Sequence, residues 1–263
     1  MRALVFWLAL SLRAQSSSPR TSLPGYPDYS ASSIANAAAN VAGLYAPNTF
    51  ISIYGVNLAF STQAITAEDV RDGVLPTSLP GSSVVVLINQ RRATMYFTSP
   101  QQVNVLIPPS LVAGKAELQL VDSGRAGPAI ELTLGATAPA LFEQGDGDVI
   151  ATHGNGPLVT RGAPAQPGEI VVLYATGLGP TTPPAIAHQL VTSAARLVDT
   201  GFQVWLNGTP VSPDRILYAG ATPGFAGLFQ INLKIPNNAA VNPEIQVGTT
   251  ERRSPAGKVL QIR

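Results

Sequence analysis

The chain has no cysteine. That absence excludes disulfides, thiolate catalysis, cysteine-based zinc sites and lipid attachment through an N-terminal cysteine, so stability has to come from packing. Charge is scarce too. Lys+Arg 16 against Asp+Glu 15 gives a net charge of +1, and charged residues make up 12% where about 25% is usual. No electrostatic footprint for nucleic acid or acidic lipid results, and no nucleic-acid partner is expected. Histidine occurs twice and tryptophan twice. After the N-terminus no segment is long and apolar enough to anchor the chain in a bilayer. What abounds instead is Gly 24 and Pro 23 in 263 residues, about 18% against a usual roughly 12%. That load penalises long helices and favours short strands joined by turns.

The N-terminus reads Met1-Arg2, an apolar run from Ala3 to Leu12, then Arg13-Ala14-Gln15 and a serine cluster. This is the layout of a secretory signal peptide, the alternative being a buried first strand. Cleavage is expected after Ala14, giving a signal peptide over 1–14 and a secreted or cell-surface product with no membrane insertion after cleavage. Loss of Arg2 and Arg13 would take the net charge from +1 to −1, and loss of Trp7 would leave Trp205 as the only tryptophan. Residues 15–31 are Ser/Pro-rich without periodicity and read as a flexible leader. The alanine-rich stretch Ser30 to Gly43 reads as an irregular first strand, with a short helix as the competing reading.

From Thr49 onward, β-branched and aromatic runs of four to eight residues alternate with turn clusters, as in TFISIYG, SSVVVLIN, TMYFT, QVNVLIP, AELQLV and AIELTL. These are strand signals. The second half replays the first. Ile51 to Leu58 (ISIYGVNL) returns as Val171 to Leu178 (VVLYATGL), and Val84 to Asn89 returns as Phe202 to Asn207. Sharpest is Gln102 to Pro108 (QVNVLIP) against Gln230 to Pro236 (QINLKIP). The fold class expected is therefore all-β, with two tandem immunoglobulin-like β-sandwich domains over 32–141 and 142–263. Copies of roughly 110 to 120 residues with turn signals every 8–12 residues suit that sandwich, and a single large barrel is the weaker alternative.

The series APNTFISIYGVNLA, LPTSLPGSSVVV, YFTSPQQVNVLIPP, APALF, PAQPGEIVVLYATGLGP and LYAGATPGFAGLFQINLKIP resembles the Solibacter-type uncharacterised C-terminal domain family over about Ser32 to Arg263. The resemblance implies tandem immunoglobulin-like domains of the IPT/TIG kind in an exported bacterial protein, and it implies no catalytic residue or cofactor. Gln90 departs from the pattern where the second copy has Gly208, which leaves the form of that hairpin turn open. No large N-terminal partner domain is present, which suggests a standalone module.

Strand alternation puts Val103, Val105 and Ile107 on one face, with Ile231, Leu233 and Ile235 as their counterparts, and these are expected to face the core. Gln102 and Asn104, matched by Gln230 and Asn232, then share the other face. They are expected to bond a neighbouring loop's backbone, with a ligand-facing polar ladder as the alternative. Pro108 and Pro236 are expected to end these strands. Gly55 and Gly177, just past a strand end, are expected to take a positive φ. Trp205 shares its face with Gln203 and Asn207, and the first-copy equivalents are Val85 and Leu87. A strand apolar on both faces is covered by something, so Trp205, Leu87 and Val85 form a candidate interdomain or partner-binding patch.

Candidate chemistry is thin. His153 and His188 fall in predicted loops, and no G-x-S-x-G is present to serve a Ser-His-Asp site. Gly145-Asp146-Gly147-Asp148 has too few oxygens for calcium and reads as a turn. Thr176 to Pro180 lacks the lysine of a phosphate loop. No catalytic, metal or cofactor-binding residue is assigned. The sequence is read as a non-catalytic exported cell-surface or extracellular interaction module whose partner is an unknown protein or polysaccharide. A carbohydrate-binding module is the alternative, expected to show exposed rings at Trp205 and at Tyr96 and Tyr218, taken as matching positions. A secreted hydrolase, with a histidine near a serine and a carboxylate, is the third reading.

Overall fold

In the computed structural model, described over residues 25–263 except Gly145 and Asn155, the chain is all-β. It forms two units: residues up to Gly135 together with Ile186–Leu190, and Ala136–Ala185 together with Val191–Arg263. The first boundary thus lies at Gly135, short of the expected Leu141. The signal-peptide expectation, and residues 15–24 of the expected leader, lie outside the described residues.

In the first unit, one sheet runs in the order Ile34–Asn36, Phe50–Tyr54, Gln102–Leu106, Thr94–Thr98, Gln63–Ala64, all antiparallel. The facing sheet runs Leu44–Tyr45, Ile130–Leu134, Gly114–Asp122, Val84–Ile88, Arg91–Arg92, with the short strand Arg125–Ala126 folded back on Gly114–Asp122. Its Leu44–Tyr45 edge pairs parallel. Between the sheets lies a core that includes Ile51, Ile53, Val103, Val105 and Ile107 from one side and Val84, Val86, Ile88, Leu118, Leu120 and Leu132 from the other. Period-two alternation explains both lists. Within Ser30 to Gly43, both competing readings apply in part: a short 3₁₀ turn at Ala31–Ser33 leads into the strand Ile34–Asn36.

Part of the expected leader is structured. Tyr29 is buried, its hydroxyl donating to Pro128 O at 2.7 Å and accepting from Leu120 N–H at 2.7 Å. Burial pushes that phenol up to about 12. Asp28 exchanges two backbone bonds of 3.0 Å with Val56. Composition alone misread 25–31, because Tyr29 supplies a buried ring and two long-range bonds that a Ser/Pro count does not register.

The second unit repeats the plan. Ala140–Leu141, Ile170–Thr176, Phe229–Lys234, Ile216–Ala221, Ala195–Leu197 and Thr181–Thr182 form one sheet in that order, with Ala151–His153 also pairing Ile170–Thr176. Thr209–Pro210, Gln203–Leu206 and Ile245–Gly248 form the other. Register shows how deep the duplication goes. Tyr54 lies opposite Gln102 and Ser52 opposite Asn104; in the second copy Tyr174 lies opposite Gln230 and Val172 opposite Asn232. A bulge interrupts the next strand pair at the same place in both units, so Phe97 opposes Asn104 as Tyr218 opposes Asn232. The counterpart of Tyr218 is therefore Phe97 and not Tyr96, because Tyr96 takes the extra, bulged position that Leu217 takes in the second copy.

Candidate functional site

The repeated amides come first. Gln102 Nε2 donates to Asn104 Oδ1 at 2.9 Å, and Gln230 Nε2 donates to Asn232 Oδ1 at 3.1 Å. Positions two apart on a strand share a face, so each pair closes on itself rather than on the loop backbone anticipated for it. The first pair is buried and the second half-buried. Pro108 and Pro236 follow their strands, and each carbonyl accepts from the residue three further on, Leu111 at 3.2 Å and Ala239 at 3.1 Å. The prolines thus end the strand and begin a turn.

Trp205 is 2% exposed. Opposite it, Gln246 donates to Ser254 O at 2.8 Å, and Ser254 in turn bonds Val247 through both N–H and Oγ. That turn folds back over the strand and lays the Arg253 guanidinium 4.1 Å from the Trp205 ring centre, a cation–π stack. Leu87 and Val85 are half-buried on the first unit's equivalent strand. Tyr218 is buried, its hydroxyl donating to Ala221 O at 2.7 Å and lying 3.2 Å from both Ala195 N and O. Tyr96 is half-buried and meets Phe50 edge-on at 4.9 Å. None of these three rings is an open stacking platform.

Both histidines are hydrogen-bonded within their own units. His153 Nδ1 lies 2.6 Å from Glu169 Oε1, and His153 Nε2 lies 3.1 Å from Ala163 O. A carboxylate and a carbonyl only accept, so both ring nitrogens point at acceptors and neither aims a lone pair at a nucleophile. Glu169 Oε2 meanwhile accepts from Gln166 N–H at 2.9 Å, fixing its own turn. His188 Nδ1 lies 2.9 Å from Thr94 Oγ1, and burial pulls its pKa below the usual imidazole value. Asp148 accepts from Arg161 Nε and Gln261 Nε2, both at 2.9 Å, so this carboxylate is already taken up by side chains. Among the described residues no three His, Asp or Glu side chains gather closely enough to hold a metal ion.

The strand-end glycines divide. Gly177 has φ +72° as expected, but its match in the first copy is Asn57 at φ 56°. Gly55 is instead required by proximity: a Cβ there would sit 2.2 Å from Asp28 O.

What sequence reasoning missed is a surface of the first unit. Phe60 is 70% exposed and Tyr26 41% exposed. Arg125 stacks over Phe60 at 4.7 Å, and Asn57 Nδ2 reaches Tyr26 O at 3.4 Å. The available signal was an aromatic in each of two turn-rich stretches, LAFST and LPGYP, but nothing in the spacing joins them.

No protein-family model matches the chain, and no curated protein sequence matches it. Solved structures do show loose similarity. A surface glycan-binding protein of the Bacteroides ovatus mixed-linkage glucan utilization locus, solved with a mixed-linkage heptasaccharide, is 11% identical with a TM-score of 0.36, covering 91% of this chain and 47% of its own. A Prevotella bryantii surface glycan-binding protein is 12% identical with a TM-score of 0.27, covering 82% of this chain and 37% of its own. The tandem immunoglobulin repeats of Dlar are 15% identical with a TM-score of 0.23, covering 90% of this chain and 95% of their own. The chain thus spans about half or less of the length of the two glycan-binding proteins.

Proposed function

We propose that this protein is an exported, non-catalytic interaction module of the cell surface or extracellular space, of the kind that the Solibacter-type motif series implies. Its two sandwiches present surface to a polysaccharide or a protein partner. The observation that carries this reading is the fate of the two histidines. His153 is held on both ring nitrogens by acceptors, and His188 is tied to Thr94, so the side chains best suited to acid–base work at neutral pH position loops instead. Among the described residues neither of them is hydrogen-bonded to a serine. A hydrolase would need one histidine nitrogen facing a nucleophile and the other oriented by an acid; Glu169 supplies the acid, but the far nitrogen faces a backbone carbonyl.

The test has two parts. The full chain, expressed in a bacterial host, is expected in the exported fraction with a mass lacking residues 1–14. The purified product, offered chromogenic esters and glycosides, is expected to show no turnover above that of His153→Ala and His188→Ala variants. Retention of an unprocessed chain in the cytoplasm, or turnover that the His153→Ala variant abolishes, would overturn the reading.

A further inference from the structure

Three segments of the first unit converge around Arg125. The chain at Gly25–Asp28 is pinned to Val56 by the paired backbone bonds of Asp28, and the Asn57 side chain holds the Tyr26 carbonyl. From the hairpin after Asp122, Arg125 reaches across to Phe60, and a Cβ on Gly25 would lie 3.3 Å from its Nη1. Tyr26, Val56 and Phe60 are 41%, 47% and 70% exposed. Two rings and a valine exposed on segments that Arg125 and the Asp28–Val56 pairing bring together make a candidate binding surface.

Its chemistry narrows the occupant. Arg125 is paired with Asp122 at 3.4 Å, and that carboxylate, nearly fully buried, also accepts from Ser83 Oγ at 2.5 Å. Among the described residues the cation at the patch, Arg125, is therefore balanced within the fold by Asp122, which disfavours recruitment of an anion. Three exposed apolar side chains are also few against the roughly 20–30 residues a side of a stable protein interface. A ligand that fits is uncharged, has small flat apolar faces to lie on a ring, and carries hydroxyls for the Asn57 amide and the guanidinium edge. Pyranose rings have that combination. We propose that Phe60, Tyr26 and Arg125 form a binding site for a neutral polysaccharide, with Phe60 as the stacking platform. This rests on the interaction-module reading and names its ligand class.

The experiment is affinity electrophoresis of the exported chain through gels cast with laminarin, hydroxyethylcellulose, galactomannan or soluble starch, and with polygalacturonate as the charged comparison. The expected result is retardation on at least one neutral polysaccharide. Apparent affinity should drop at least tenfold in Phe60→Ala and less in Tyr26→Ala, and stay unchanged in Val112→Ala, a substitution at a position 80% exposed that is used as the control. All three positions are exposed, and circular dichroism superimposable on the parent's confirms that the variants fold. Retardation that persists in Phe60→Ala overturns this site while leaving the interaction-module reading intact. Retardation on polygalacturonate alone overturns the neutral-ligand assignment, and no retardation on any gel overturns the proposal. In both of those cases the export and turnover measurements decide the broader reading separately.

Discussion

The duplicated hairpins offer a controlled exchange of one residue. In the second copy, Asn207 and Gly208 turn the chain with φ 48° and 76°; in the first, Asn89 and Gln90 do so with φ 47° and 61°. Two consecutive positive values mark a two-residue hairpin turn whose twist suits the flanking strands, so the turn left open by Gln90 forms in spite of it. Both asparagines make the same bonds. Asn89 donates to Glu117 O and accepts from Glu117 N–H through Oδ1, each at 2.8 Å, and Asn207 does so with Glu244 at the same distances. Only the second turn residue differs. A side chain in the left-handed region costs about 1–2 kcal/mol, and the larger backbone entropy that glycine loses on folding returns about 0.5–1 kcal/mol of that. A Cβ on Gly208 would meet nothing within 4 Å, so sterics outside the backbone drop out. On the mid-values of those two ranges, Gly208→Gln should therefore destabilise the second unit by about 0.75 kcal/mol, and Gln90→Gly should stabilise the first by a similar amount. Trp205, two residues before the turn, reports the second unit by fluorescence during urea unfolding. With a slope of roughly 1.5 kcal/mol/M, the midpoint should fall by about 0.5 M in Gly208→Gln. For Gln90→Gly, far-ultraviolet circular dichroism should show the first unit's transition shifted upward. A Gly208→Gln midpoint equal to or above the parent's, or a lowered one in Gln90→Gly, would refute the backbone argument.

Gly220→Ala should cost about 3 kcal/mol, the upper end for overpacking, because its Cβ would lie 2.2 Å from Ala195 O and 2.7 Å from Tyr218 Oη; a Trp205 unfolding midpoint near the parent's would contradict this. Gly55→Ala should break the Asp28–Val56 bridge and weaken polysaccharide retardation along with Phe60→Ala, to be read on the same gels. For His188 the sign follows from burial. Its folded pKa lies below the unfolded value of about 6.5, so its contribution is present above pH 6.5 and is lost as the pH falls through the folded pKa. A nuclear magnetic resonance titration of the His188 ring should have its midpoint below 6.5, and a midpoint above it would contradict the burial argument.

Several features were decided by the sequence alone because they depend on local periodicity. The all-β class follows from short β-branched runs between Gly and Pro turns. The core faces follow from alternation, which is why Val103, Val105 and Ile107, with Ile231, Leu233 and Ile235, lie inside as their spacing requires. The tandem plan follows from QVNVLIP and QINLKIP, whose strands pair in the same register in both units. Tertiary structure decided whatever depends on partners distant in the chain. Gln102 and Asn104 bond each other, where their alternation pointed to a neighbouring loop's backbone. Arg253 lies on Trp205 because a distant turn folds back over that strand. Gly55 is glycine because Asp28, far away in sequence, brings its carbonyl against it. Tyr26, Phe60 and Arg125 share a surface because Asp28 pairs with Val56 and the hairpin after Asp122 carries Arg125 onto Phe60. Periodicity says which face a side chain takes; it carries no information about what the rest of the chain will bring to that face.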